Sequence, residues 1–67
     1  MKSPKVIKGI NIVKVLIKRG WIIKSRNSSH VSMSNGVTHI TIVLPLTTIG
    51  IYKKICKITG IDLEEFL

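Results

Sequence analysis

Asn35-Gly36 stands between two stretches of alternating polar and apolar residues, 29–34 and 37–44. A type I′ turn needs positive φ at both central positions, and this dipeptide adopts it more readily than most, so the spacing predicts a β-hairpin. Pairing Ser34 with Val37 across the turn then sets Val31 opposite Ile40, Ser32 opposite His39 and His30 opposite Thr41. Side chains alternate faces along a strand. Val31, Met33, Ile40, Ile42 and Leu44 therefore share an apolar face, while His30, Ser32, His39 and Thr41 share a polar one.

The same parity argument extends upstream. Residues 21–25 read as a first strand, and a three-residue bend at Arg26-Asn27-Ser28 puts Trp21 and Ile23 on the apolar face and Lys24 opposite His30. A two-residue bend would turn Trp21 and Ile23 outward. Before it, Ile10, Val13, Leu16 and Ile17 recur at helical spacing with Lys14 and Lys18 on the other side. Gly20 fits the left-handed residue that ends such a helix. Pro45 stops the third strand, Thr48 can cap a second helix to about Thr59 with Ile51, Ile55 and Ile58 as its buried stripe, and Gly60 closes it. Asp62 to Glu65 reads as one more helical turn, and residues 1–8 form a basic lead-in without assigned structure. The expected fold is α+β, in the order α-β-β-β-α, with two helices on one face of a three-stranded antiparallel sheet. Residues 1–67 make a single domain with no repeat or internal boundary.

Sixty-seven residues support only a small core, yet 45% of them are hydrophobic. Apolar surface is therefore left over, and a homo-oligomer or a protein partner is expected to cover it. Charge narrows the function further. The net charge is +8, and all three acidic residues, Asp62, Glu64 and Glu65, lie in the last six positions. Such a field attracts polyanions, nucleic acid before an anionic membrane. Magnesium and calcium sites need carboxylates that residues 1–61 do not have. His30, His39 and Cys56 do not make a zinc set. No metal or other cofactor is called for, and paired-carboxylate catalysis is excluded. A lone cysteine suits a reducing compartment. Lys5, Lys8 and Lys14 break any early apolar run, and no stretch is long enough to span a bilayer. A cytoplasmic location follows.

His30 is the residue on which chemistry can be built. An ammonium at Lys24 across the strand would disfavour its imidazolium, and a neutral imidazole is what a general base requires. RNA carries its own nucleophile in the 2′-hydroxyl, so a histidine among cations can suffice for strand cleavage without metal. The plainer alternative is a solvated strand histidine. His39, diagonal to His30 in this register, is a candidate second proton-transfer group or RNA contact. Ser29 either orients a phosphate or ties the bend. Lys24 and Arg26 are candidate phosphate contacts. Trp21 belongs to the core by alternation, and Tyr52 and Cys56 lie beside the buried stripe of the second helix.

The order and spacing of these pieces resemble the HicA family over nearly the whole chain. Gly9 through Trp21 is similar to the family's first helix and its Gly-aromatic ending, Ser29-His30-Val31 to its catalytic segment, and Asn35-Gly36 to its hairpin turn. Leu44-Pro45-Leu46 is similar to the strand ending, Gly50 to the start of the second helix, and Ile55 to Leu67 to the tail with Gly-Ile-x-Leu-Glu-Glu-Phe. The resemblance implies a double-stranded-RNA-binding-like fold and an mRNA endoribonuclease, the toxin of a type II toxin–antitoxin system. It also implies a HicB-type antitoxin covering the catalytic histidine, here His30. Two departures stand out: Ser28 replaces the family's usual Gly, and Thr47-Thr48-Ile49 replaces a longer polar loop, removing phosphate contacts and weakening the expected activity. A non-catalytic RNA-binding module and a purely structural partner protein are the rival readings.

Overall fold

The structure, a computed structural model, describes residues 4–67. The chain runs β1 (Val6–Lys8), α1 (Gly9–Lys18), β2 (Ile22–Arg26), β3 (His30–Ser34), β4 (His39–Val43), β5 (Leu46–Thr48) and α2 (Ile49–Thr59), ending in a 3-10 turn, Leu63–Phe66. It is α+β, with two helices and a small antiparallel sheet in the order β2-β3-β4. The expected α-β-β-β-α order is incomplete, because β1 and β5 form a second, two-stranded ribbon. Part of the basic lead-in is thus a strand. Hydrogen bonds from Gly9 N–H to the Pro45 carbonyl and from Ile49 N–H to the Lys5 carbonyl, both 2.9 Å, close the ribbon at its two ends. Three-residue strands are too short to show an alternation, which is why they escape a periodicity argument.

The central hairpin forms two residues out of the expected register. Ser34 pairs with His39, Met33 with Ile40, Val31 with Ile42 and His30 with Val43. Asn35 does not take positive φ; only Gly36 does, at +94°. Asn35 instead accepts the Val37 and Thr38 N–H groups on its side-chain Oδ1, at 2.9 and 2.8 Å. The turn is therefore centred on Gly36-Val37 with positive φ at Gly36 alone, which excludes the type I′ turn that needs it at both central positions. A shift of two preserves parity, so each side chain stays on the face alternation assigned it. Val31, Met33 and Ile42 are buried, with Ile40 beside them, while His30, His39 and Thr41 are exposed.

Both helices are turned relative to expectation. In α1 the buried positions are Gly9, Ile12, Val13 and Leu16, and Ile10 and Ile17 face solvent. Gly9 sets that rotation: a Cβ there would sit 2.5 Å from the Val43 carbonyl oxygen and 2.6 Å from Leu44 Cδ2. The helix can lie this close to β4 only with hydrogen at that position. It ends as expected, with Gly20 at positive φ and the Trp21 N–H donating to the Leu16 carbonyl at 2.9 Å, a Schellman arrangement. Helix α2 buries Tyr52 and Ile55 and packs chiefly on β1, β5 and the 3-10 turn. Ile51 and Ile58, expected in its buried stripe, are 37% and 44% exposed. Thr48 precedes α2 with extended backbone but makes no side-chain cap.

Trp21, Leu16, Met33, Ile42, Tyr52 and Phe66 form one core. The Tyr52 hydroxyl donates to the Pro4 carbonyl, and Arg19 pairs with Glu65, fastening the 3-10 turn to the end of α1. The Glu65 carboxylate holds the Arg19 guanidinium above its ordinary pKa through that hydrogen bond. Among the described residues no buried side-chain polar atom lacks a partner, and no helix is long and apolar enough to cross a membrane.

Candidate functional site

His30 opens β3 on the face opposite the buried one, and its ring is exposed. The bend before it is built by Asn27. Its Oδ1 accepts the Ser29 N–H at 2.9 Å and the His30 N–H at 2.8 Å, while the Asn27 N–H donates to the His30 carbonyl at 3.0 Å. An asparagine that replaces a backbone acceptor in this way fixes the local path of the chain. Ser29 Oγ lies 2.9 Å from His30 Nδ1 and 3.4 Å from Asn27 Oδ1. With a proton on Nδ1, the ring donates to Ser29 and the Ser29 hydroxyl points on to Asn27. Nε2 is then an outward-facing acceptor, the tautomer a general base needs.

Other expected members of the site are arranged differently. Lys24 is not opposite His30: the bend holds two residues, Ser28 and Ser29, rather than the expected three, so Asn27 faces His30 across it, and Lys24 occupies a bulge between the Ile23–Met33 and Ser25–Ser32 pairs. The cross-strand ammonium invoked to act on His30 is therefore not set there by pairing. The extra residue re-phases the strand. Arg26 pairs with Val31 and so shares its face, away from His30. His39 lies opposite Ser34, four residues along β4 from the His30 partner Val43. That is about 13 Å of strand at roughly 3.3 Å per residue, so His39 is not the diagonal neighbour of His30 that the expected register made it.

Two open grooves flank this end of the molecule. One, of about 590 Å³, runs between β4 and α2 and has His30, His39, Thr41, Lys54, Ile51 and Ile58 among its lining. The other, of about 580 Å³, brings Arg26 and Ser28 together with Lys8 and Leu46. Lys8 was not singled out by the sequence and carried no local signal; only the β1–β5 ribbon brings it to Arg26. Asn27 did carry a signal, since it heads its bend as Asn35 heads the other. None of Asp62, Glu64 and Glu65 lines either groove, so both are cationic in their ionisable groups. Burial pushes the Cys56 thiol up, away from the thiolate a nucleophile requires. Among the described residues no group of three His, Cys, Asp or Glu side chains is placed to hold a metal. Comparison of the chain with protein-family models, with curated proteins and with solved structures finds no match.

Proposed function

We propose that the chain is a HicA-like toxin on a double-stranded-RNA-binding-like scaffold, a metal-independent endoribonuclease that cleaves mRNA with His30 as general base. The observation that carries this reading is the exposed His30 ring tethered at Nδ1 by Ser29 on a bend fixed by Asn27. Nε2 takes the proton of a ribose 2′-hydroxyl as that oxygen attacks the adjacent phosphorus. The bond from phosphorus to the 5′-oxygen breaks, leaving a 2′,3′-cyclic phosphate, and the departing oxygen takes a proton from solvent. Arg26 and Lys8 hold the RNA backbone in their groove and Lys54 in the other. Ser29 positions the base rather than touching the substrate. A HicB-type antitoxin in the cytoplasm is the partner this reading entails.

The test is purified protein with end-labelled RNA. Cleavage yielding cyclic-phosphate ends, unchanged by EDTA and reduced about 10²- to 10⁴-fold in His30→Ala, is the expected result. The separation of Lys24, Arg26 and His39 from His30 favours a second reading, a non-catalytic RNA-binding module. Binding that weakens steeply with salt, without any cleavage, would establish it instead.

A further inference from the structure

Strand β4 is an edge strand whose outer side faces a groove rather than another strand. In an antiparallel pair, residues alternate between those that bond to the partner and those whose N–H and C=O point the other way. The Leu44 N–H donates to the Ser29 carbonyl and the Asn35 N–H to the Thr38 carbonyl. With the observed register, Ile40 and Ile42 bond to β3, and His39, Thr41 and Val43 direct their backbone groups outward. The Val43 carbonyl is taken by the Thr47 hydroxyl at 2.9 Å. Among the described residues nothing takes the outward groups of His39 and Thr41. Facing them across the groove is α2, with half-exposed Ile51 and Ile58 and the charge of Lys54.

We infer that this groove receives an extended acidic peptide segment of another protein, added as a fourth strand on β4. Unpaired backbone groups spaced along a strand are complementary to another strand. Alternate side chains of the added segment meet the α2 stripe of Ile51, Lys54 and Ile58, and the others turn to the opposite face of the sheet beside His39. Charge selects the occupant. Among the described residues the groove holds only His30, His39 and Lys54 as ionisable groups, so acidic side chains match it, whereas a second copy of a chain of net charge +8 would meet its own repulsion. The inference does not rest on the ribonuclease reading, since it uses backbone groups and α2 and holds even if His30 performs no chemistry.

The probe is a capped, fluorescent peptide of about eight residues alternating valine and glutamate, a typical strand length, titrated into the full chain by anisotropy, with amide exchange read in parallel. Saturable binding with slowed exchange at His39 and Thr41 is expected. A lysine-for-glutamate peptide and the variant Ile58→Glu should each weaken it about fivefold or more. Thr41→Pro removes an outward donor without touching the β3 ladder and should also weaken binding about fivefold. Three outcomes overturn the proposal. They are no saturable binding to the unaltered chain, binding indifferent to both Ile58→Glu and Thr41→Pro, and protection of His39 and Thr41 produced by self-association or by an RNA oligonucleotide but not by the peptide.

Discussion

The bends on either side of β3 are built alike. Asn27 and Asn35 each accept two backbone N–H groups on Oδ1, from the second and third residues beyond, and each donates its own N–H to the carbonyl three residues on. They differ at two places. The residue after the asparagine is Gly36 with φ of +94° in one bend and Ser28, without positive φ, in the other. The last two residues are Val37 and Thr38 in one, and Ser29 and His30 in the other. One turn therefore only reverses the chain, whereas its counterpart also presents an imidazole with a fixed ring nitrogen. An asparagine-headed bend is a structural device in both, and the chemistry depends on which side chains follow it.

Paired substitutions separate the two roles. Asn27→Ala and Asn35→Ala should each lose about 1 kcal/mol, as other side-chain acceptors for backbone N–H groups do, or roughly 4–8 °C in melting temperature for a chain this small. Cleavage of RNA should fall about 10²-fold only in Asn27→Ala, because displacing a base by about 1 Å can cost that much. Equal loss of cleavage in both variants would mean that global stability, not the presentation of His30, is being measured. Gly36→Ala comes next, costing about 1–2 kcal/mol for a Cβ forced into the left-handed region, seen as a lower melting temperature with unchanged catalysis in the folded protein. Ser28→Ala should leave stability within about 0.5 kcal/mol. Ser29→Ala should then slow cleavage about fivefold, the value of one ordinary hydrogen bond, and leave the melting curve nearly in place.

What the residues revealed, and what they hid, follows from the same two bends. Alternation in residues 29–44 assigns the faces of His30, Val31, His39 and Ile42 without reference to any other part of the chain, and a two-residue slip cannot undo it. The register itself was hidden because Asn35 has two ways to make a turn: a positive φ, or its own carboxamide as acceptor. Composition does not say which is taken. The Lys24 bulge was hidden for a related reason: a two-residue bend at Ser28-Ser29 followed by one extra residue at Lys24 puts Ile23 on the face of Met33, the same face that a three-residue bend without a bulge would give it. At the site, His30 and Ser29 were legible as neighbours, whereas the Lys8–Arg26 groove depends on a ribbon between strands 38 residues apart, such as Lys8 and Leu46. Long-range pairing of that kind leaves no local trace.

The smallest effect is the most discriminating test of the comparison. Ser28 occupies the place that Gly36 holds in the other bend, and glycine is the residue the HicA resemblance would put there. Since φ at Ser28 is not positive, serine sits in this bend without backbone strain, and glycine would add only freedom to the unfolded chain. Ser28→Gly should thus lower stability by about 0.4–1 kcal/mol and leave the cleavage rate within about twofold of the original, since His30 keeps its tether to Ser29 and Asn27. A clear rise in cleavage would show that the serine restrains the bend from a geometry His30 needs during the reaction. The likeness between the two bends would then hold only for the resting protein, and the glycine at position 36 would be the better guide to how the working bend is shaped.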